Sequence, residues 1–274
     1  MKFYISVDAE GMPWVPSRHM MSPGDKLYSE LREIMTRVTN IVVDELHNNG
    51  ASEVIVADSH AAMVNIDPFK LDSRASLIRG YPRPMSMIIG SQEADAALFL
   101  GYHASPQHGG VLGHTYAGRV IQRVRVPGSD MATEYLLNAY ALGELGKPVI
   151  LVAGDETLRE QVMEFTPWAQ FVALKKPVAF FADYTKPFKQ VEEELRKATR
   201  EAVKTLSSGE AKPLRAKEPW IEIEFKRPYH AEIAELFPCV ERIDGVTVKL
   251  TCENYLDNFK MLEGLVIAAY SFER

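Results

Sequence analysis

Asp8 and Glu10 stand on alternate residues in SVDAEG, at the point where the apolar run KFYISVD ends. Two other apolar runs end in the same way: EVIVA is followed by Asp58 and His60, and ALFLGY by His103. Glu134 follows in MATEYLLNAY, where a helix is expected to begin near Ser129 and point its early side chains toward the same edge. Carboxylate oxygens mixed with imidazole nitrogens suit Zn²⁺ or a similar transition ion better than Ca²⁺ or Mg²⁺, which favour oxygen alone. A single catalytic zinc commonly takes three protein ligands and keeps one position open. Asp8, Glu10, His60, His103 and Glu134 therefore point to two ions per subunit with one carboxylate bridging them. Such a pair lowers the pKa of water and polarises a scissile carbonyl, which is hydrolytic chemistry.

Each residue also has an ordinary reading. Asp8 and Asp58 can cap the turns after their strands, Glu10 can be a solvated loop acid, and Glu134 can answer a helix dipole. His60 and His103 can be a surface and a half-buried histidine. The metal reading gains its weight from five such residues arriving at converging positions. HASPQHGGVLGHTY adds further histidines in a glycine-bearing loop. His114 is the candidate for donating a proton to a leaving group or stabilising an oxyanion, because imidazole titrates near neutrality. His108 is expected to face solvent, and His19, His47 and His230 receive no role. The same ligands also serve a metal-dependent phosphoesterase or a non-catalytic metal- or peptide-binding protein. The chain shows no glycine-rich phosphate cradle and no arginine cluster near the ligands, which weighs against the former.

The elements that must position these groups alternate. Strands are expected at KFYISVD, SEVIVAD, ADAALFLGYH and KPVILVAGD, mostly apolar as buried parallel strands are. Between the first two, SPGDKLYSELREIMTRVTNIVVDELHNNG reads as an amphipathic helix with Ser22 as N-cap, Pro23 in its first turn and Gly50 as its stop. GRVIQRVRVPGSD reads as a strand and turn, and MATEYLLNAYALGELG as a helix closed by Gly146. The alternation predicts an α/β fold, a mostly parallel sheet flanked by helices, over residues 1–182. Residues 183–274 read as a second, smaller α+β domain: a charged helix from PFKQVEEEL, strands at WIEIEF and GVTVKL, a short helix around HAEIAELF, and a terminal helix at NYLDNFKMLEGLVIAAY.

With 46% hydrophobic and 25% charged residues the chain has the makings of a real core. Its net charge of -6, with the two signs interleaved, gives no footprint for nucleic acid or an anionic membrane. No stretch reads as a signal peptide or a bilayer span, and a cytoplasmic location is expected. Cys239 and Cys252 are too few for a disulfide framework and read as buried apolar residues.

Taken in order, SVDAEG, ADSH, LFLGYHA, GHT, the glutamate and LNAY of TEYLLNAY, and PVILVAGDE resemble the M55 metallopeptidases. The resemblance is strong over about the first 160 residues and weak beyond. It implies a zinc-dependent aminopeptidase that removes N-terminal residues from short peptides, with a preference for D-amino acids. It further implies that Asp8, Glu10 and His60 hold one zinc, that Asp8, His103 and Glu134 hold the second, and that His114 is catalytic. A ring-like homo-oligomer, a decamer of stacked pentamers around an inner chamber, is implied as well. Lys175 or Lys176 stands where the family carries a lysine. EGMPWVPS, with Trp14, and ATEY, with Tyr135, depart from the family pattern and are expected to reshape the substrate pocket.

Overall fold

Phe3, Ile5 and Val7 are buried toward one side of the first strand, and Tyr4 and Ser6 toward the other. A strand buried on both faces belongs in the middle of a sheet with a layer on each side. In the computed structural model, which describes residues 1–273, the chain runs β1 (Lys2–Val7), α1 (Tyr28–Asn48), β2 (Glu53–Asp58), β3 (Ala75–Ile78), β4 (Ala96–Tyr102), β5 (Ile121–Arg125), α2 (Glu134–Glu144), β6 (Val149–Asp155) and α3 (Arg159–Phe165). There follow β7 (Gln170–Ala179), β8 (Ala182–Tyr184), α4 (Phe188–Ser207), β9 (Ile221–Phe225), α5 (Pro228–Ala234), β10 (Val240–Arg242), β11 (Thr247–Leu250) and α6 (Tyr255–Tyr270).

The large sheet has seven strands in the order β3-β2-β1-β4-β6-β7-β8. All its pairings are parallel except β7 with β8, which form an antiparallel hairpin. The smaller sheet is antiparallel, in the order β10-β11-β9-β5. The expected α/β architecture with a smaller α+β part is therefore observed.

One core lies between the large sheet and the packed pair α1 and α4, built on Phe3, Ile5, Val7, Leu98, Leu100 and Val191. The other joins the opposite face, through Tyr4, Phe99 and Val152, to α2, α6 and the small sheet. Neither layer follows the 182/183 division. Helix α4 packs on α1, and β5 supplies the edge of the small sheet by pairing with β9. The final residue of the 183–274 span lies outside the described residues.

Several expected boundaries move. The segment SPGD does not open α1: Gly24 takes φ +96, the Asp25 carboxylate accepts the Ser22 N–H, and the helix begins at Tyr28. Helix α2 begins at Glu134 rather than near Ser129. Val126 and Ser129 close a tight turn, and Thr133 is the N-cap, its side chain accepting the Leu136 N–H. Cys252 is buried as expected, but Cys239 is exposed. No helix among the described residues is long and apolar enough to cross a membrane.

The strand order places β1 next to both β2 and β4, so the chain reverses its direction of travel across the sheet between β1 and β4. Ligands of open α/β sheets bind at such a switch point, beyond the carboxyl ends of the strands. Here the two strand ends approach so closely that side chains are excluded. The Gly11 N–H donates to Gly101 O at 2.7 Å, and a β-carbon on Gly11 would stand 1.9 Å from Tyr102 O. A β-carbon on Gly101, itself at φ +74, would stand 2.1 Å from Asp8 O. Gly11→Ala and Gly101→Ala are each expected to lower unfolding free energy by about 2 kcal/mol or more in chemical denaturation. Gly264→Ala, in open space on α6, is expected to be neutral or to stabilise by up to about 1 kcal/mol.

Candidate metal centre

Asp8 and Glu10 leave the end of β1, His60 lies two residues past β2, and His103 is the first residue past β4. Glu134 is the first residue of α2. The five expected ligands thus meet at the switch point, all nearly buried, with side-chain exposures of 1–7%.

The Asp8 carboxylate is shared between two imidazoles. Its Oδ1 is 3.4 Å from His60 Nδ1, and its Oδ2 is 3.4 Å from His103 Nε2. Glu10 Oε2 lies 3.0 Å from His60 Nδ1, and Glu134 Oε1 lies 3.6 Å from His103 Nε2. Outer partners orient both rings. The Nε2–H of His60 donates to Met21 O at 2.9 Å, and the Nδ1–H of His103 donates to Ala104 O at 3.1 Å. With those protons committed to carbonyls, His103 turns a bare Nε2 lone pair toward two carboxylate oxygens. Metal-ligating histidines are oriented in this way, with the second ring nitrogen donating to an outer acceptor.

Asp8 Oδ2, Glu10 Oε2 and His103 Nε2 are buried without a hydrogen-bond partner. Buried polar atoms are ordinarily paired. A cluster of acceptors facing one another is what a bound cation compensates, so the residues fit two divalent ions. Two groups hold ligand atoms within 4.8 Å of one another, Asp8 with Glu10 and His60, and His103 with His114 and Glu134. Asp8 lies between them.

The charge balance is strained accordingly. Burial, and then the neighbouring charge of Glu10, push the Asp8 carboxyl well above its ordinary range. Burial also works to raise Glu10, but the charge of His60 overcomes it and holds that carboxyl well below the ordinary range. Burial opposes charge on His60, yet Glu10 and Asp8 together raise its pKa well above 6.5. Burial, and then the nearby His114, depress His103.

His114 is the exposed member, at 24% of its side chain. Its Nδ1–H donates to Leu112 O at 3.0 Å, and its Nε2 stands 4.0 Å from Glu10 Oε1 and 3.8 Å from Glu134 Oε1. The ring stacks on His103 with centroids 4.5 Å apart. Val111 N–H donates to Asp155 Oδ2 at 2.9 Å and fixes this loop to the end of β6. His108 lies outside the cluster, half-buried beside Ser105. Asp58 follows its ordinary reading: it accepts from Asn65 Nδ2 and the Ile66 N–H, and Asn65 also donates to His60 O.

Sequence reasoning missed a chain of polar groups beneath the site. The Tyr116 N–H donates to Glu134 Oε1 at 2.7 Å, and its hydroxyl donates to Asn138 Oδ1 at 2.8 Å. Asn138 Nδ2 donates to the Tyr102 hydroxyl, which lies 2.8 Å from Ser6 Oγ. The asparagine of LNAY, one helical turn past Glu134, was the available signal.

One expectation about pocket shape, that for Tyr135, is corrected. Tyr135 points into the core, fully buried against Phe99 with its hydroxyl 2.7 Å from Thr166 Oγ1. Trp14 packs on Phe188 of α4, with ring centroids 5.7 Å apart.

With this geometry in view, comparison with known proteins is specific. Residues 1–264 match the model of the M55 peptidase family, described as D-aminopeptidase. The chain is 33% identical over 265 residues to a D-aminopeptidase of Bacillus subtilis (strain 168), covering 96% of this chain and 95% of that protein. It superposes with a TM-score of 0.94 and 31% identity on a solved structure described as the Zn-dependent D-aminopeptidase DppA from Bacillus subtilis, a self-compartmentalizing protease. That match covers 100% of both chains.

The raised His60 pKa has a testable sign. In the metal-free protein its charged form contributes stability that is fully present below about pH 6.5, the unfolded value, and is lost as pH rises through the folded value. A metal held by His60 through Nδ1 would have to displace that proton. Zinc titration of chelator-stripped protein near neutral pH is expected to release protons, read as a heat that varies with buffer ionisation enthalpy. Apparent affinity is expected to fall as pH is lowered. Heats independent of the buffer would show that His60 carries no displaceable proton.

Proposed function

Because the chain belongs to the M55 family of D-aminopeptidases, we propose that it is a two-zinc aminopeptidase that removes N-terminal residues, D-amino acids in particular, from short peptides. The observation that carries this reading is the bare His103 Nε2 turned toward Asp8 and Glu134 with its Nδ1 proton committed to Ala104 O. Asp8, Glu10 and His60 would hold one ion, and Asp8, His103 and Glu134 the other. The chemistry that zinc supplies in such a pair is Lewis-acid polarisation of the scissile carbonyl and a lowered pKa for water.

The protein's own groups do the rest. Asp8 offers one oxygen to each side and sets the separation of the two halves. The Tyr116 N–H fixes the Glu134 carboxylate, and Leu112 O fixes the His114 ring so that Nε2 faces the cluster. As the most exposed of the six, His114 meets an entering peptide. Its Nε2 is assigned to take up the proton given off by the attacking water and then, as imidazolium, to stabilise the developing oxyanion and hand that proton to the leaving amine. The near-complete burial of the other five keeps bulk water away from the reacting carbonyl, which strengthens each electrostatic contact there. Since DppA is described as a self-compartmentalizing protease, a ring-like homo-oligomer, with a decamer as the specific expectation, is part of the proposal.

The deciding experiment is elemental analysis of the purified protein together with a screen of D- and L-aminoacyl peptides before and after chelation. Two zinc ions per subunit, activity favouring D-substrates, and loss and return of turnover on chelation and zinc addition are expected. Hydrolysis of p-nitrophenyl phosphate with no peptide cleaved would overturn the assignment. His114→Ala is expected to lower kcat on the order of a hundredfold or more while both ions stay bound. Loss of one ion from that variant would instead make His114 a ligand.

A further inference from the structure

Lys175 is among the most deeply buried side chains in the molecule, with no side-chain exposure. A buried ammonium is costly unless it is paired and hydrogen-bonded, and the metal-site geometry above makes no use of it. Its neighbour Lys176 is ordinary, half exposed and paired with Glu156 at 3.1 Å. Lys175 Nζ donates to Val15 O at 2.7 Å and lies 3.6 Å from Asp183 Oδ2. Asp183 sits across the β7–β8 hairpin, opposite Pro177 in register. The Val15 N–H favours the ionised Asp183. One residue earlier, the Trp14 N–H donates to Thr185 Oγ1 at 3.2 Å.

Residues 14 and 15 close the loop that begins with Asp8 and Glu10. One end of that loop is fixed by the ladder between β1 and β4, where the Asp8 N–H donates to Leu100 O and the Gly11 N–H to Gly101 O. The other end takes its hydrogen bonds from the hairpin, while Trp14 rests on Phe188 and the Val15 side chain is buried in the core. At its tip the hairpin also reaches the second functional loop, where the Leu112 N–H donates to Phe180 O and Leu112 O in turn holds His114. A single hairpin therefore touches both the segment carrying Glu10 and the segment carrying His114.

We propose that Lys175 and Asp183 are positioning residues, a buried clip that fixes Val15 and thereby presets Glu10 for the metal it shares with Asp8 and His60. An ion pair is a poor source of net stability here but a good source of fixed geometry, because neither charge can leave without stranding the other. The clip rests on the two-zinc reading. Outer groups that orient metal ligands typically carry tenfold to a hundredfold in affinity.

The test uses the full-length protein, stripped of metal and titrated with zinc against a chromophoric chelator. Wild type is expected to show two binding events. Lys175→Met, which keeps the length of the side chain and removes its charge, is expected to weaken one event about tenfold or more and to leave the other within about threefold. Amide exchange at residues 12–15 is expected to quicken in the same variant. Should Lys175→Met fail to fold, Thr185→Val removes only the Trp14 anchor and is expected to move the same event in the same direction. A folded variant with both affinities unchanged overturns the clip, even if its Tm falls, since a merely structural lysine would lower stability and leave the ions alone. Failure of wild type to take up zinc at Asp8, Glu10 and His60 overturns the two-zinc reading, and the clip's role with it.

Discussion

Three carboxylates and the bare Nε2 of His103 converge at the switch point between β1 and β4, a crowding of acceptors that the single charged ring of His60 only partly offsets. Asp8 gives one oxygen to His60 and the other to His103, with Glu10 and Glu134 closing on either side. Everything around them serves to hold that unfavourable arrangement in place. Parallel strands bring three loop origins to one edge, Gly11 and Gly101 let two of those loops touch through bare backbone, and carbonyls of Met21 and Ala104 take the ring protons that would otherwise satisfy the acids. The order in which the strands lie decides the result. Were β4 on the far side of β2, His103 could not share a carboxylate with His60.

The strained charge balance also explains why the site is built from the stiffest parts of the molecule. Mutual repulsion favours any motion that separates the acids, and a site on mobile loops would relax by spreading. Here Asp8 follows directly on β1, His103 directly on β4, and Glu134 is held by the first turn of a helix whose cap is the buried Thr133. His114 alone is carried well away from a strand end, and its loop is secured by Asp155 on β6 and by the hairpin tip through Phe180. Preorganisation of this kind is what electrostatic catalysis requires, because groups already in place need not reorganise as charge develops.

Much of this was legible in the sequence because the ligands follow long apolar runs. Burial on both faces leaves a strand no polar residues, so the first polar residues after FYISV, EVIVA and ALFLGY mark the strand ends where a crevice forms. The same rule fails at the margins of the sheet. β3 is half-exposed and β7 ends in KKPVA, so neither shows an unbroken apolar signal. Without β7 as a strand, nothing distinguishes Lys175 from Lys176. In a strand they point to opposite faces, one to Val15 and one to solvent. SPGD imitates a helix start because the same residue types make turns, and only the left-handed Gly24 decides between the two. The division at 182/183 followed a change of texture, whereas α4 and β5 follow burial: an amphipathic helix goes where a sheet face needs covering, and a strand goes where an edge needs pairing. Tyr102, Tyr116 and Asn138 escaped notice because buried aromatic and amide side chains look alike in sequence whether they fill a core or hold a ligand.

Exposure is unevenly distributed around the site. His60 is closed off by Met21 O and by Asn65, while His114 retains 24% of its side-chain surface beside the His103 ring. His114 is therefore the member of the cluster most open to solvent. Tyr135 is spent in the core on Phe99 and Thr166, whereas Trp14 rests on Phe188 with 41% of its surface exposed. The surface around His114 includes the hairpin tip, where Phe180 O accepts the Leu112 N–H. The three carboxylates, His60 and His103 accordingly sit at or just beyond strand and helix ends, and His114 completes the cluster from a loop tied to β6 and to the hairpin tip.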